Sequence, residues 1–81
     1  SEGIAEVDFL IQYKNTIIPV EVKSDENIRS KSLSYYHKTY KPPLRIRYSL
    51  KNLNLNDGVL NIPLFMADYT RHLIDIAMRS L

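Results

Sequence analysis

The chain has 81 residues, of which 44% are hydrophobic and 25% are charged, and its formal net charge is +2. This length predicts a single domain over residues 1–81 with a small core. The chain contains no cysteine, which excludes disulfides and thiolate metal sites and favours the cytoplasm. No apolar run approaches the ~18 residues of a membrane-spanning helix, so no contact with a membrane is expected.

Residues 6–23 alternate between apolar and polar side chains with a period of two. This pattern predicts a β-hairpin with one apolar face and one face that carries the charges. Lys14 and Asn15 form the expected two-residue turn, in which Asn15 takes the positive φ that such turns require. Tyr13 then pairs with Thr16 across the turn, and this pair sets the register of the whole hairpin.

In that register Asp8 lies directly opposite Glu21, and Glu6 lies opposite Lys23. Two opposed carboxylates repel each other unless something offsets the repulsion. A bound divalent cation would offset it. The alternative is that Glu6 and Lys23 form a cross-strand ion pair while Asp8 and Glu21 are merely exposed.

After a polar loop, Ser30 is a candidate N-cap for a helix that runs to about Lys41, and two prolines end it. Its expected buried face has helical spacing and consists of Leu33, Tyr36, His37 and Tyr40. Residues 44–50 alternate again and predict a strand. A strand, a helix and a strand predict a right-handed parallel crossover.

The rest of the chain predicts a turn at residues 54–58, a short strand at 59–62 and a terminal helix from Pro63 to about Ser80. The apolar positions expected to face the core or a partner are Leu64, Phe65, Met66, Tyr69, Leu73, Ile76 and Ala77. The predicted fold class is therefore α/β, with a mixed sheet of about four strands flanked by helices.

The charges are distributed unevenly along the chain. Residues 1–26 hold six acidic residues and two lysines, whereas residues 27–56 hold seven basic residues and no acidic one. An uncompensated basic segment favours an anionic partner, and DNA is the expected one. Its candidate nucleic-acid-binding residues are Lys31, Lys38, Arg45 and Arg47. The alternative is a solvated basic surface without a ligand.

The sequence Glu-Val-Asp ending at Asp8, followed by Glu21, Val22 and Lys23, resembles the PD-(D/E)xK nuclease superfamily, which has the restriction-endonuclease-like fold. Residues 1–24 also resemble the uncharacterised C-terminal domain of prokaryotic AAA-type ATP-binding proteins. The resemblance implies a nuclease-like domain truncated at its N-terminus, and an ATPase domain upstream in a longer parent chain.

In this resemblance Asp8 and Glu21, with the Val22 carbonyl, would hold Mg²⁺ or Mn²⁺, and Lys23 would position a water or stabilise developing charge. Two functions are therefore expected as alternatives. One is metal-dependent hydrolysis of DNA, and the other is a non-catalytic module that assembles with, or docks, nucleic acid or protein. An open sheet edge or the terminal helix is also expected to support a homodimer.

Overall fold

The computed structural model describes residues 7–24, 33, 38 and 40–81. A 3-10 helix (Leu64–Tyr69) leads into an α-helix, α1 (Thr70–Arg79). Five strands form one mixed sheet in the order β1-β2-β3-β5-β4, and they are β1 (Phe9–Tyr13), β2 (Thr16–Val22), β3 (Arg45–Ser49), β4 (Asn54–Asn56) and β5 (Val59–Pro63). The α/β class is thus confirmed, with one strand more than expected.

The hairpin of β1 and β2 has the predicted register. Tyr13 pairs with Thr16, and the antiparallel pairing continues to Phe9 and Val20. The turn differs in one respect, because Lys14 rather than Asn15 has the positive φ, 53°. A positive φ at the first turn residue is the type II′ pattern, which also matches the twist of a hairpin.

The predicted parallel crossover is confirmed, since β2 and β3 pair in parallel from Val20 and Ile46 onwards. Leu33, Lys38 and Tyr40 are helical, and residues 30–32, 34–37 and 39 of the predicted helix lie outside the described residues. The prediction that Tyr40 is buried was wrong, because its side chain is 64% exposed. It is followed at once by Lys41, whose φ of 51° takes the chain out of the helix.

The predicted turn at residues 54–58 is a second hairpin. β4 pairs antiparallel with β5, and Asn56 and Val59 flank a turn made by Asp57 and Gly58. Both turn residues have positive φ, 53° and 75°, as a type I′ turn requires. The asparagines of β4 favour a turn in sequence, but pairing with β5 overrides that preference.

The core lies between one face of the sheet and α1, where Ile18, Val20, Ile46, Leu60, Ile62, Leu73, Ile74 and Ala77 form a single buried cluster. Of the positions predicted to face the core or a partner, Leu73 and Ala77 are buried in the core. Phe65 is 87% exposed, Ile76 is 45% exposed, and Leu64 and Tyr69 are exposed too, so these four do not face the core. Residues 64–69 wind as a 3-10 helix, with three residues per turn, so the buried face of α1 does not continue into them. Within the described residues, no helix is both long and apolar enough to cross a membrane.

Candidate functional site

Asp8 lies one residue before β1, and its side chain is exposed. Its backbone N–H donates to the Val20 carbonyl at 2.9 Å, which holds the start of the hairpin against β2. Its Oδ2 accepts a hydrogen bond from the Val22 N–H at 2.6 Å. Val22 lies between Glu21 and Lys23, so the Asp8 carboxylate reaches the end of β2 that carries the rest of the motif.

Glu21 lies on the sheet face opposite α1, and it is buried, with 6% of its surface exposed. The sequence predicted an open charged face, and the burial of Glu21 corrects that expectation. Its Oε1 lies 3.6 Å from Lys23 Nζ. Its Oε2 is buried and accepts no hydrogen bond in the part of the chain that the structure describes. A buried acceptor without a donor costs free energy, so this oxygen is suited to a ligand.

Lys23 is partly exposed, and its backbone N–H donates to the Tyr48 carbonyl at 2.8 Å. This bond fixes the residue beside β3, while the spacing of two along a strand places its side chain on the same face as Glu21. The predicted partner Glu6 lies outside the described residues. Among the described residues, Lys23, one residue after β2, instead forms an ion pair with Glu21 of β2.

Asp8, Glu21 and the Val22 carbonyl offer hard oxygen donors of the kind that Mg²⁺ takes. Mg²⁺ is commonly bound by only one or two carboxylates, with water completing its shell. Among the residues described, no group of three or more His, Cys, Asp or Glu side chains is placed to hold a metal. The free Glu21 Oε2 is the feature that fits a cation.

The sequence analysis did not identify Asn61 as a functional residue. Asn61 continues a row of polar side chains that runs across the sheet from Glu21. Glu21, Arg47 and Asn61 are register partners on β2, β3 and β5. Arg47 Nε donates to Asn61 Oδ1 at 3.1 Å. The available signal was an asparagine interrupting the apolar run of residues 59–62, because a polar residue inside a buried strand needs partners.

The four basic residues predicted to bind nucleic acid have different environments. Lys38 is exposed, Arg47 is half-buried and Lys31 lies outside the described residues. Arg45 is only 5% exposed, and its Nη2 donates to the Asp57 carbonyl. Burial lowers the pKa of Arg45, and the charge of Asp57 opposes that shift. The Arg45 side chain therefore supports the turn between β4 and β5. Of the three described basic residues, Lys38 is the most accessible to a nucleic acid.

Residues 1–66 match the family described as Domain of unknown function (DUF4143). The chain belongs to this family. The DUF4143 match includes Asp8, Glu21 and Lys23 and all five strands, and it ends inside the 3-10 helix. No curated protein and no solved structure matches the chain.

Proposed function

We propose that this DUF4143 domain is the nuclease-like module of an AAA-type ATPase, and that Asp8, Glu21 and Lys23 bind a divalent cation and a phosphate group of DNA. Domains of this family are typically found in proteins associated with AAA-type ATPases. The observation that carries the proposal is the buried Glu21 Oε2, which lacks a donor among the described residues, beside the cation of Lys23.

Each motif residue has a separate task in this proposal. Asp8, Glu21 and the Val22 carbonyl hold Mg²⁺ or Mn²⁺. The metal, when bound, supplies Lewis-acid polarisation of the phosphate ester. Lys23 places a positive charge beside Glu21 and stabilises negative charge that develops on the phosphate. Burial of Glu21 limits water around the site, which strengthens these electrostatic interactions.

A second candidate is a non-catalytic module that docks nucleic acid or protein. The hydrogen bond from the Val22 N–H to Asp8 Oδ2 favours it, because this bond gives Asp8 a role in the fold itself. A carboxylate that caps a strand amide stabilises the hairpin whether or not a metal binds.

The two candidates differ in how Mn²⁺ affects the thermal midpoint. In the nuclease-like candidate Mn²⁺ stabilises the wild type, by about 2.7 kcal/mol at a concentration 100 times Kd. Asp8→Asn keeps an oxygen acceptor for the Val22 N–H but removes the charge, so it should fold normally and lose the response to Mn²⁺. Glu21→Gln should lose the response as well.

Asp68→Asn is the matched control, because Asp68 is an exposed carboxylate on the 3-10 helix, and it should respond as the wild type does. A thermal midpoint that Mn²⁺ leaves unchanged in every variant would contradict the metal site and favour the docking module.

Binding of labelled duplex DNA tests whether the domain contacts phosphate groups of DNA. Lys38→Glu should lower the slope of log affinity against log salt by about 0.9 if Lys38 contacts one phosphate, whereas Arg79→Glu on α1 should not.

A further inference from the structure

A cavity of about 270 Å³ lies between the turn of the first hairpin and the C-terminal half of α1. The residues that line it are Tyr13, Lys14, Asp75, Met78 and Arg79. The Tyr13 hydroxyl donates to Asp75 Oδ1, so a hydrogen bond joins the two elements that form the cavity. Asp8 and Lys14 lie at opposite ends of β1, roughly 20 Å apart along an extended strand. The cavity is therefore separate from the candidate metal site.

Positive charge exceeds negative charge around this cavity. Lys14 Nζ and Arg71 Cζ lie 5.3 and 5.4 Å from the centroid of the Tyr13 ring, and Arg79 lines the cavity. All three basic residues are exposed to solvent. Among the described residues that line the cavity, only Asp75 is acidic. Three positive charges thus surround one carboxylate, which leaves an excess of two.

The Asp75 carboxylate does not neutralise these bases by direct contact. Its Oδ1 accepts from the Tyr13 hydroxyl, and among the described residues none of the three bases forms an ion pair with it. The hydrogen bond from Tyr13 lowers the pKa of Asp75, and Lys14, Arg79 and Arg71 lower it further against partial desolvation. All three positive charges therefore act on the same part of the cavity. Like charges repel each other, and a bound anion would offset this repulsion.

We propose that this cavity binds a phosphate group with two negative charges, either free phosphate or the terminal phosphate of a mononucleotide. A phosphate monoester carries about −1.5 to −2 charges at neutral pH, which matches the excess of two positive charges. Guanidinium groups bind phosphate oxygens through paired hydrogen bonds, and Arg71 and Arg79 supply two guanidinium groups. An internal phosphate of duplex DNA carries a single charge, so the duplex is not the expected occupant.

The basic residues also have an explanation that involves no ligand. A helix C-terminus carries a partial negative charge, and a base near it stabilises the helix. Arg79 lies in the last turn of α1, so the alternative is that it serves the helix alone. The effect of Asp75→Asn on anion binding separates the two explanations. This change removes the negative charge that faces the anion but keeps an oxygen acceptor for the Tyr13 hydroxyl, so phosphate should bind more tightly.

Titration of isotopically labelled protein with inorganic phosphate tests the proposal by NMR, at an ionic strength held constant with sodium chloride. The backbone amide signals of Lys14 and Arg79 should shift and saturate, and their shifts give Kd. Arg79→Gln and Lys14→Gln should each weaken binding about tenfold, because each removes a charged donor. Asp75→Asn should tighten binding at least about threefold. Lys51→Gln is the matched control, because it replaces an exposed base that follows β3, and it should bind phosphate as the wild type does.

Three results would overturn the proposal. The first is a wild type whose amide signals do not saturate with phosphate. The second is an equal affinity for phosphate in the wild type, Arg79→Gln and Lys51→Gln. The third is an affinity that Asp75→Asn leaves unchanged or weakens, since the bases would then act on the helix and not on an anion.

Thymidine monophosphate and thymidine distinguish the two sources of the phosphate group. Tighter binding of the monophosphate than of inorganic phosphate assigns the cavity to a nucleotide, and equal or weaker binding assigns it to free phosphate. Thymidine has no phosphate group and should not bind. If thymidine bound as tightly as its monophosphate, the phosphate would contribute nothing, and this result would overturn the proposal.

Discussion

Tyr13 shows how one side chain joins the hairpin to α1. It is 4% exposed, and its hydroxyl donates to Asp75 Oδ1 on α1. The Tyr13 ring has Lys14 Nζ at 5.3 Å and Arg71 Cζ at 5.4 Å from its centroid, distances at which a cation is attracted to an aromatic ring. The last residue of β1 is thus held to α1 by a hydrogen bond and by charge.

This contact predicts a dependence of stability on pH. The hydrogen bond from Tyr13 lowers the pKa of Asp75 below its ordinary value of 3.8; partial desolvation opposes the shift, and Lys14, Arg79 and Arg71 add to it. A depressed carboxyl pKa stabilises the fold above the unfolded value, and this stabilisation is lost as pH falls through the folded value. Tyr13→Phe should therefore lose less stability than the wild type as the pH falls below the ordinary Asp75 pKa of 3.8.

Urea unfolding at a series of pH values measures this difference. Tyr69→Phe is the matched control, since Tyr69 is 59% exposed, and its pH dependence should equal that of the wild type. If Tyr13→Phe followed the wild-type curve, the hydrogen bond to Asp75 would not be the cause of the pKa shift.

At the scale of elements, Asn61 joins β5 to β3 and to the loop that follows β3. Its Oδ1 accepts from Ser49 Oγ at 2.6 Å and from Arg47 Nε at 3.1 Å. Its Nδ2 donates to the carbonyls of Lys51 and Asn52 at 3.1 and 2.9 Å. An asparagine amide has two donors and two acceptor sites, so all four are used, and Asn61 is 2% exposed.

Asn61→Ala should lower the free energy of unfolding by about 2 kcal/mol or more, because it leaves several buried polar groups without a partner. Asn54→Ala is the control, since Asn54 is its register partner on β4 but is exposed, and the effect should be within about 0.5 kcal/mol. Urea denaturation of both variants measures the two effects. Equal effects would mean that the network around Asn61 contributes little.

At the scale of the whole molecule, the two faces of the sheet bury different kinds of side chain. The face towards α1 is apolar, whereas Glu21, Arg45, Ser49 and Asn61 are buried on the other face. Leu33, in the crossover between β2 and β3, is 1% exposed and is not part of the cluster packed against α1. The candidate site therefore lies on the polar face, and stability comes largely from the apolar one.

The packing of α1 can be tested with two isoleucines on the same helix. Ile74 is 1% exposed and Ile76 is 45% exposed. Ile74→Ala should lower the free energy of unfolding by about 2–5 kcal/mol, because it removes buried methyl groups and leaves a cavity. Ile76→Ala should cost much less. Chemical denaturation of both variants measures these changes in the free energy of unfolding. If Ile76→Ala lowered it more than Ile74→Ala, the result would contradict this packing of α1 on the sheet.

The sequence by itself determined the first hairpin, its register and the parallel crossover to β3. These follow from local rules, because a period of two assigns side chains to faces and a two-residue turn sets which residues pair. The same rules predict that Asp8 lies near Glu21, Val22 and Lys23. What they could not supply was the hydrogen bond from Val22 to Asp8, since it depends on the chain bending before β1.

Only the tertiary structure decided which polar residues are buried. Alternation identifies two faces but does not show that both are covered, so Arg45 and Glu21 read as surface charges in the sequence. Pairing with β5 makes residues 54–56 a strand, and the packing of α1 on the sheet buries Ile74 and leaves Ile76 exposed. Each of these outcomes depends on contacts between residues far apart in the chain, which override local preference.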